Sequence, residues 1–108
     1  MGTKVTIHFK NERADRATYI SQTVGFGEII HSIEGYNQNV FQIKEITETG
    51  VIIVRDGHKR IITMYIAKPE QVLTYYRMNN LGRVPQWLAA KVKKNWQKGY
   101  TQNQPNFK

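Results

Sequence analysis

Three β-rich runs joined by short turns constrain the fold of this 108-residue chain most strongly. Val40–Ile46, Val51–Arg55 and Arg60–Ile66 are dense in Val, Ile, Thr and aromatic residues, the types that suit a pleated, half-buried surface. Glu48-Thr49-Gly50 supplies the first turn. Asp56-Gly57 supplies the second, since both residue types tolerate the positive φ of a tight type I′ hairpin. Strands linked so closely run antiparallel, because a parallel crossover needs roughly a dozen residues or more. The pattern predicts a three-stranded meander.

Other elements gather around it. Lys4–Lys10 alternates, with Val5, Ile7 and Phe9 on one face and Thr6, His8 and Lys10 on the other, as in a half-buried strand. Residues 11–16 are charged at nearly every position and read as a loop or a solvated turn of helix. Thr18–Val24 is rich in β-branched and aromatic residues and reads as a second strand. Phe26, Ile29, Ile30 and Ile33 fall at i, i+3, i+4 and i+7, the spacing of an amphipathic helix near 26–34, with a strand as the alternative. Pro69 and Pro85 each suit the first turn of a helix. The first of these helices ends at Asn79-Asn80-Leu81-Gly82, and the second runs to about Lys98 before Gly99.

The expected class is therefore α+β: an antiparallel meander, N-terminal strands, a short helix and two C-terminal helices. A chain this short holds one hydrophobic core. Residues 1–99 read as a single domain, and the polar, aperiodic 100–108 as a disordered tail.

Composition narrows the function. There is no cysteine, which excludes disulfides, thiolate metal sites and cysteine nucleophiles and makes a cytoplasmic setting the expectation. The longest apolar run, Val51–Val54, is far short of the ~18 residues that span a bilayer, so no membrane partner is expected. Charge is sharply segregated. Residues 1–70 carry nine Lys or Arg against eight Asp or Glu, whereas 71–108 carry seven against none, so +7 of the net +8 lies in the last third. A field of one sign attracts polyanions, of which nucleic acid is the commonest.

Within Pro85–Lys98, Leu88, Val92 and Trp96 stand at i, i+4 and i+8 with Trp87 beside them, an apolar stripe that needs a surface to pack on. Lys91, Lys94 and Lys98 form a neighbouring stripe, flanked by Lys93 and Arg83. Lysines that neutralise phosphates release counterions, and Trp rings can stack on unpaired bases. Arg83, Trp87, Lys91, Lys93, Lys94 and Lys98 are thus the candidate nucleic-acid-binding residues.

Signals for catalysis are sparse. His8, His31 and His58 lack metal-ligand spacing, the glycines occur singly, and no metal or other cofactor is expected. A metal-free ribonuclease needs groups that move protons and steady a phosphorane, roles that His, Lys, Arg and Tyr can fill. A short helix followed by a meander whose last strand reads Arg60-Ile61-Ile62-Thr63-Met64-Tyr65 resembles the metal-independent ribonuclease toxins of the barnase–EndoU–colicin–RelE superfamily over residues 26–66. That resemblance implies His31 as acid or base, Arg60 as phosphate clamp, and Thr63 with Tyr65 as positioning groups. By strand alternation Arg60 shares a face with Ile62 and Met64, so it joins Thr63 and Tyr65 only if the strand bulges.

Three readings follow. The first is a small basic nucleic-acid-binding protein, for RNA more than DNA, using the C-terminal Lys/Trp helix. The second is a toxin-type ribonuclease. The third is a phage or mobile-element interaction module docking on an acidic protein. The first and third rest on the same lysines.

Overall fold

A computed structural model of the chain describes residues 14–101. The strand expected at Lys4–Lys10 and the tail beyond 101 lie outside the described residues. The element order is α1 (Ala14–Thr23), β1 (Ile29–Asn37), β2 (Val40–Thr47), β3 (Val51–Arg55), β4 (Ile61–Ile66), α2 (Pro69–Met78) and α3 (Gln86–Thr101). The four strands form one antiparallel sheet in the order β1-β2-β3-β4. The class is α+β, with the meander and the two C-terminal helices in place.

Because side chains alternate along each strand, the sheet serves two cores. One face carries Ile46, Ile52 and Val54 and is covered by Val72, Tyr75 and Tyr76 of α2 and by Leu88 and Val92 of α3. The other carries Val51, Ile53, Ile61, Met64 and Ile66 and is covered by Ile20 of α1, with Tyr19 and Trp96 beside it.

Two elements differ from the sequence expectation. Residues 18–24 belong to helix α1 and its exit, not to a strand. The β propensity of Thr18, Tyr19 and Ile20 yields to burial at helical spacing, since Arg16, Ile20 and Thr23 turn inward. Residues 26–34 are not a helix. Gly25 and Gly27 hold φ of +74° and +65°, incompatible with a continuing right-handed helix, and β1 begins at Ile29. The helix-like spacing has a specific origin. Ile29 pairs with Thr47 and His31 with Ile46, so a bulge between them lets Ile30 and Ile33 both pack on the α2/α3 side. An i, i+3 apolar pair here reflects a bulged strand.

The turns also show how sequence becomes geometry. Gln38 and Asn39 both lie at positive φ and close the β1–β2 hairpin. The β3–β4 link is longer than the two-residue turn expected at Asp56-Gly57, and its positive φ falls on Lys59. Asp56 organises it: Oδ1 accepts from the backbone N–H of His58 and of Arg60, and Oδ2 accepts from Arg60 Nε. Burial nudges this carboxyl upward, but those hydrogen bonds and the Arg60 charge outweigh it and hold it below its usual range. In α2, Pro69 occupies the first turn, and the Lys68 N–H donates to Gln71 Oε1 at 2.7 Å. Asn80 at φ +53° ends the helix, with the Leu81 N–H donating to the Tyr76 carbonyl. Helix α3 continues through Gly99 to Thr101. Its Gly99 carbonyl accepts from Tyr19 Oη at 2.8 Å, which ties α3 to α1.

The β2–β3 turn is the seat of α3. Asn95 Nδ2 donates to the Thr49 carbonyl at 2.9 Å. Gly50, at φ +85°, passes so near the helix that an added Cβ would lie 2.8 Å from Val92 Cγ2. Gly50→Ala is therefore expected to cost about 1–3 kcal/mol through backbone strain and steric overlap, read as a lower urea midpoint. An unchanged midpoint would contradict this packing. Arg16, only 6% exposed, sends Nη1 to Thr63 Oγ1 and to the Met64 carbonyl, both at 2.9 Å, on strand β4. Arg16→Ala should cost roughly 2 kcal/mol in the same assay, because it strips charge-assisted bonds from buried acceptors.

Candidate nucleic-acid interface

Helix α3 is a 16-residue amphipathic helix with no acid in its first turn. Leu88, Val92, Asn95 and Trp96 turn inward at i, i+4, i+7 and i+8. Leu88 and Val92 are buried in the α2-side core, so the helix is docked. Trp96 packs against the α1-side core, and Lys68 Nζ sits 5.5 Å from its ring centroid.

Trp87 does not join this face. It is 53% exposed and stands at the head of a line with Lys91, Lys94 and Lys98, at i, i+4, i+7 and i+11. At ~1.5 Å rise per residue the line runs about 16 Å along one flank of the helix. Lys93 is exposed on the opposite flank, and Arg83 is exposed in the loop that leads into α3. The structure thus gathers Trp87, Lys91, Lys94 and Lys98 on one surface and leaves Lys93 apart. The chemical capacity of that surface is plain: an indole face for stacking beside a row of ammonium groups for phosphates.

The residues implied by the ribonuclease resemblance are not brought together in this way. His31 lies on strand β1 and not on a helix. Its Nε2 is 2.9 Å from Tyr76 Oη, and its ring packs edge-on against Tyr76 at 5.1 Å. The pairings His31–Ile46, Ile46–Ile52 and Ile52–Tyr65 place His31 and Tyr65 in one row across the sheet, three strands apart. At ~4.8 Å per strand that is about 14 Å, filled by the buried side chains of Ile46 and Ile52. Strand β4 does bulge: Arg55 pairs with Ile61 and Val54 with Thr63. Arg60 nevertheless lies outside the strand and is paired with Asp56 at 2.9 Å. Thr63 accepts from Arg16, and burial pushes the Tyr65 phenol up, away from proton release.

Arg16 was hidden in the sequence by its charged neighbours, although its i, i+4, i+7 relation to Ile20 and Thr23 carries the signal. The His31–Tyr76 pair spans 45 residues, and local sequence holds no trace of it. Among the described residues no group of three or more His, Cys, Asp or Glu could hold a metal ion, and no helix is long and apolar enough to cross a membrane. The chain matches no protein-family model, no curated protein and no solved structure.

Proposed function

We propose that this protein binds single-stranded nucleic acid, RNA before DNA, along the exposed flank of α3. Lys91, Lys94 and Lys98 neutralise successive phosphates, and Trp87 stacks on an unpaired base. The exposure of Trp87 carries the reading. Tryptophan usually buries most of its large surface, and here the helix has an inward face that takes Leu88, Val92 and Trp96 instead. An indole left outside, in line with lysines and in a segment free of acids, offers the stacking platform and electrostatic track that single strands use.

The test uses point changes at exposed positions, because removing the helix would take Leu88 and Val92 out of the core. Titration of the intact protein with a mixed-sequence oligoribonucleotide should quench Trp87 saturably, and the RNA should remain whole on a gel. Trp87→Ala should weaken binding by about 1–3 kcal/mol, roughly 5- to 150-fold. Lys91→Ala with Lys94→Ala should flatten the dependence of log K on log salt by about 1.4, at ~0.7 per phosphate for a single strand. Unchanged affinity and salt slope in both variants would refute the interface. Cleaved RNA would point to the ribonuclease, and capture of an acidic protein by the same flank with no RNA binding would favour the interaction module.

A further inference from the structure

A groove of about 420 Å³ opens on the other flank of α2, between that helix and the outer half of the sheet. Its size falls within the usual range of small-molecule sites, which begins near 300 Å³. Its floor is apolar, formed by Ile33, Ile52 and the ring of Tyr65, and its walls are polar and aromatic: Gln42 from β2, with Gln71, Thr74 and Tyr75 from α2.

We infer that this groove takes an unpaired, uncharged nucleobase, an inference that rests on the single-strand reading above. Its chemistry differs from that of the α3 flank. Its charged lining residues are Lys44 against Glu34 and Glu70, so it carries no excess of positive charge and does not favour an anion such as phosphate. Its uncharged polar side chains, Gln42, Gln71 and Thr74 among them, supply donors and acceptors of the kind that pair with the edge of a planar heterocycle. Tyr75 Oη donates to the Lys44 carbonyl at 2.7 Å, which fixes that ring as a wall. Gln71 Oε1 is occupied by the Lys68 N–H, leaving the amide NH2 to donate. Tyr65 Oη has no hydrogen-bond partner among the described residues, and burial keeps the phenol protonated as a donor.

Gly35 supplies a second, independent observation. By alternation it faces the same side as Ile33, and it pairs with Gln42. It needs no left-handed backbone, and an added Cβ would meet nothing within 4 Å. Glycine in a strand interior weakens the strand, and here neither backbone conformation nor packing demands it. What its missing side chain leaves open is the groove.

The experiment follows from Gly35. Adenosine, guanosine, cytidine and uridine carry no phosphate, so the α3 lysines give them no electrostatic help. NMR titration of the full chain at millimolar nucleoside should show saturable shifts at Gly35, Tyr65 and Thr74, with one nucleoside preferred. Gly35→Val should abolish those shifts, keep or raise the melting temperature, and reduce oligoribonucleotide affinity severalfold while Trp87 quenching and its salt dependence persist. Tyr65→Phe should weaken nucleoside binding without displacing the groove resonances of the free protein. No shifts with any nucleoside, or shifts indifferent to Gly35→Val, would overturn the base site and leave the α3 reading standing. Nucleoside binding without oligonucleotide binding would instead refute the α3 reading on which the base site rests.

Discussion

Leu88 and Val92 pack with Ile46, Ile52 and Tyr76 on one side of the sheet, while Trp96, one turn further on, reaches the cluster around Ile20 and Val51 on the other. One helix therefore closes both cores at the end of the sheet marked by the β2–β3 turn. That arrangement depends on a turn slim enough to admit it. Gly50 supplies the clearance, Asn95 satisfies the Thr49 carbonyl, and Glu48 Oε2 takes the Glu28 N–H so that the chain entering β1 is tied to the same corner. Thr49 Oγ1 lies 2.7 Å from the Gly25 carbonyl and extends that corner toward α1. The exposed flank of α3 is held still because its inner face is fixed in this way, and a preorganised surface loses less entropy on binding.

Much of this was legible in residues. Val51–Arg55 is buried on both faces and reads as a continuous apolar run, and Glu48-Thr49-Gly50 reads as a turn because Gly50 must take a positive φ. Pro69, Pro85 and the i, i+4 stripe of Leu88 and Val92 marked the two C-terminal helices. Two local signals misled for physical reasons. A bulge shifted the alternation of β1 until Ile30 and Ile33 imitated a helix face, and the β propensity around Tyr19 lost to the burial of Arg16 and Ile20 against β4. Charge around Arg16 argued for solvent, and only the tertiary acceptors at Thr63 and Met64 explain its burial.

The candidate interface was legible as a set of residues, not as a surface. Sequence placed Trp87 beside the apolar stripe, and the structure assigns it to the lysine side. The difference is one of angle: Leu88 points into the core, and its neighbour Trp87 is turned about 100° away on the helix. The implied ribonuclease residues had no such common element. His31 was expected on a helix and lies on β1, Arg60 lies in the β3–β4 link and Thr63 and Tyr65 lie on β4, and the register of the sheet sets buried isoleucines between His31 and Tyr65.

On the proposed reading, one helix divides its faces between holding the fold together and holding a strand of nucleic acid. Backbone and side-chain NMR mapping with a short single-stranded oligoribonucleotide tests this most directly. The predicted footprint covers Trp87, Lys91, Lys94 and Lys98, with Leu88 and Val92 showing no loss of packing. A footprint that bypasses this flank, or none at low salt, would contradict the account.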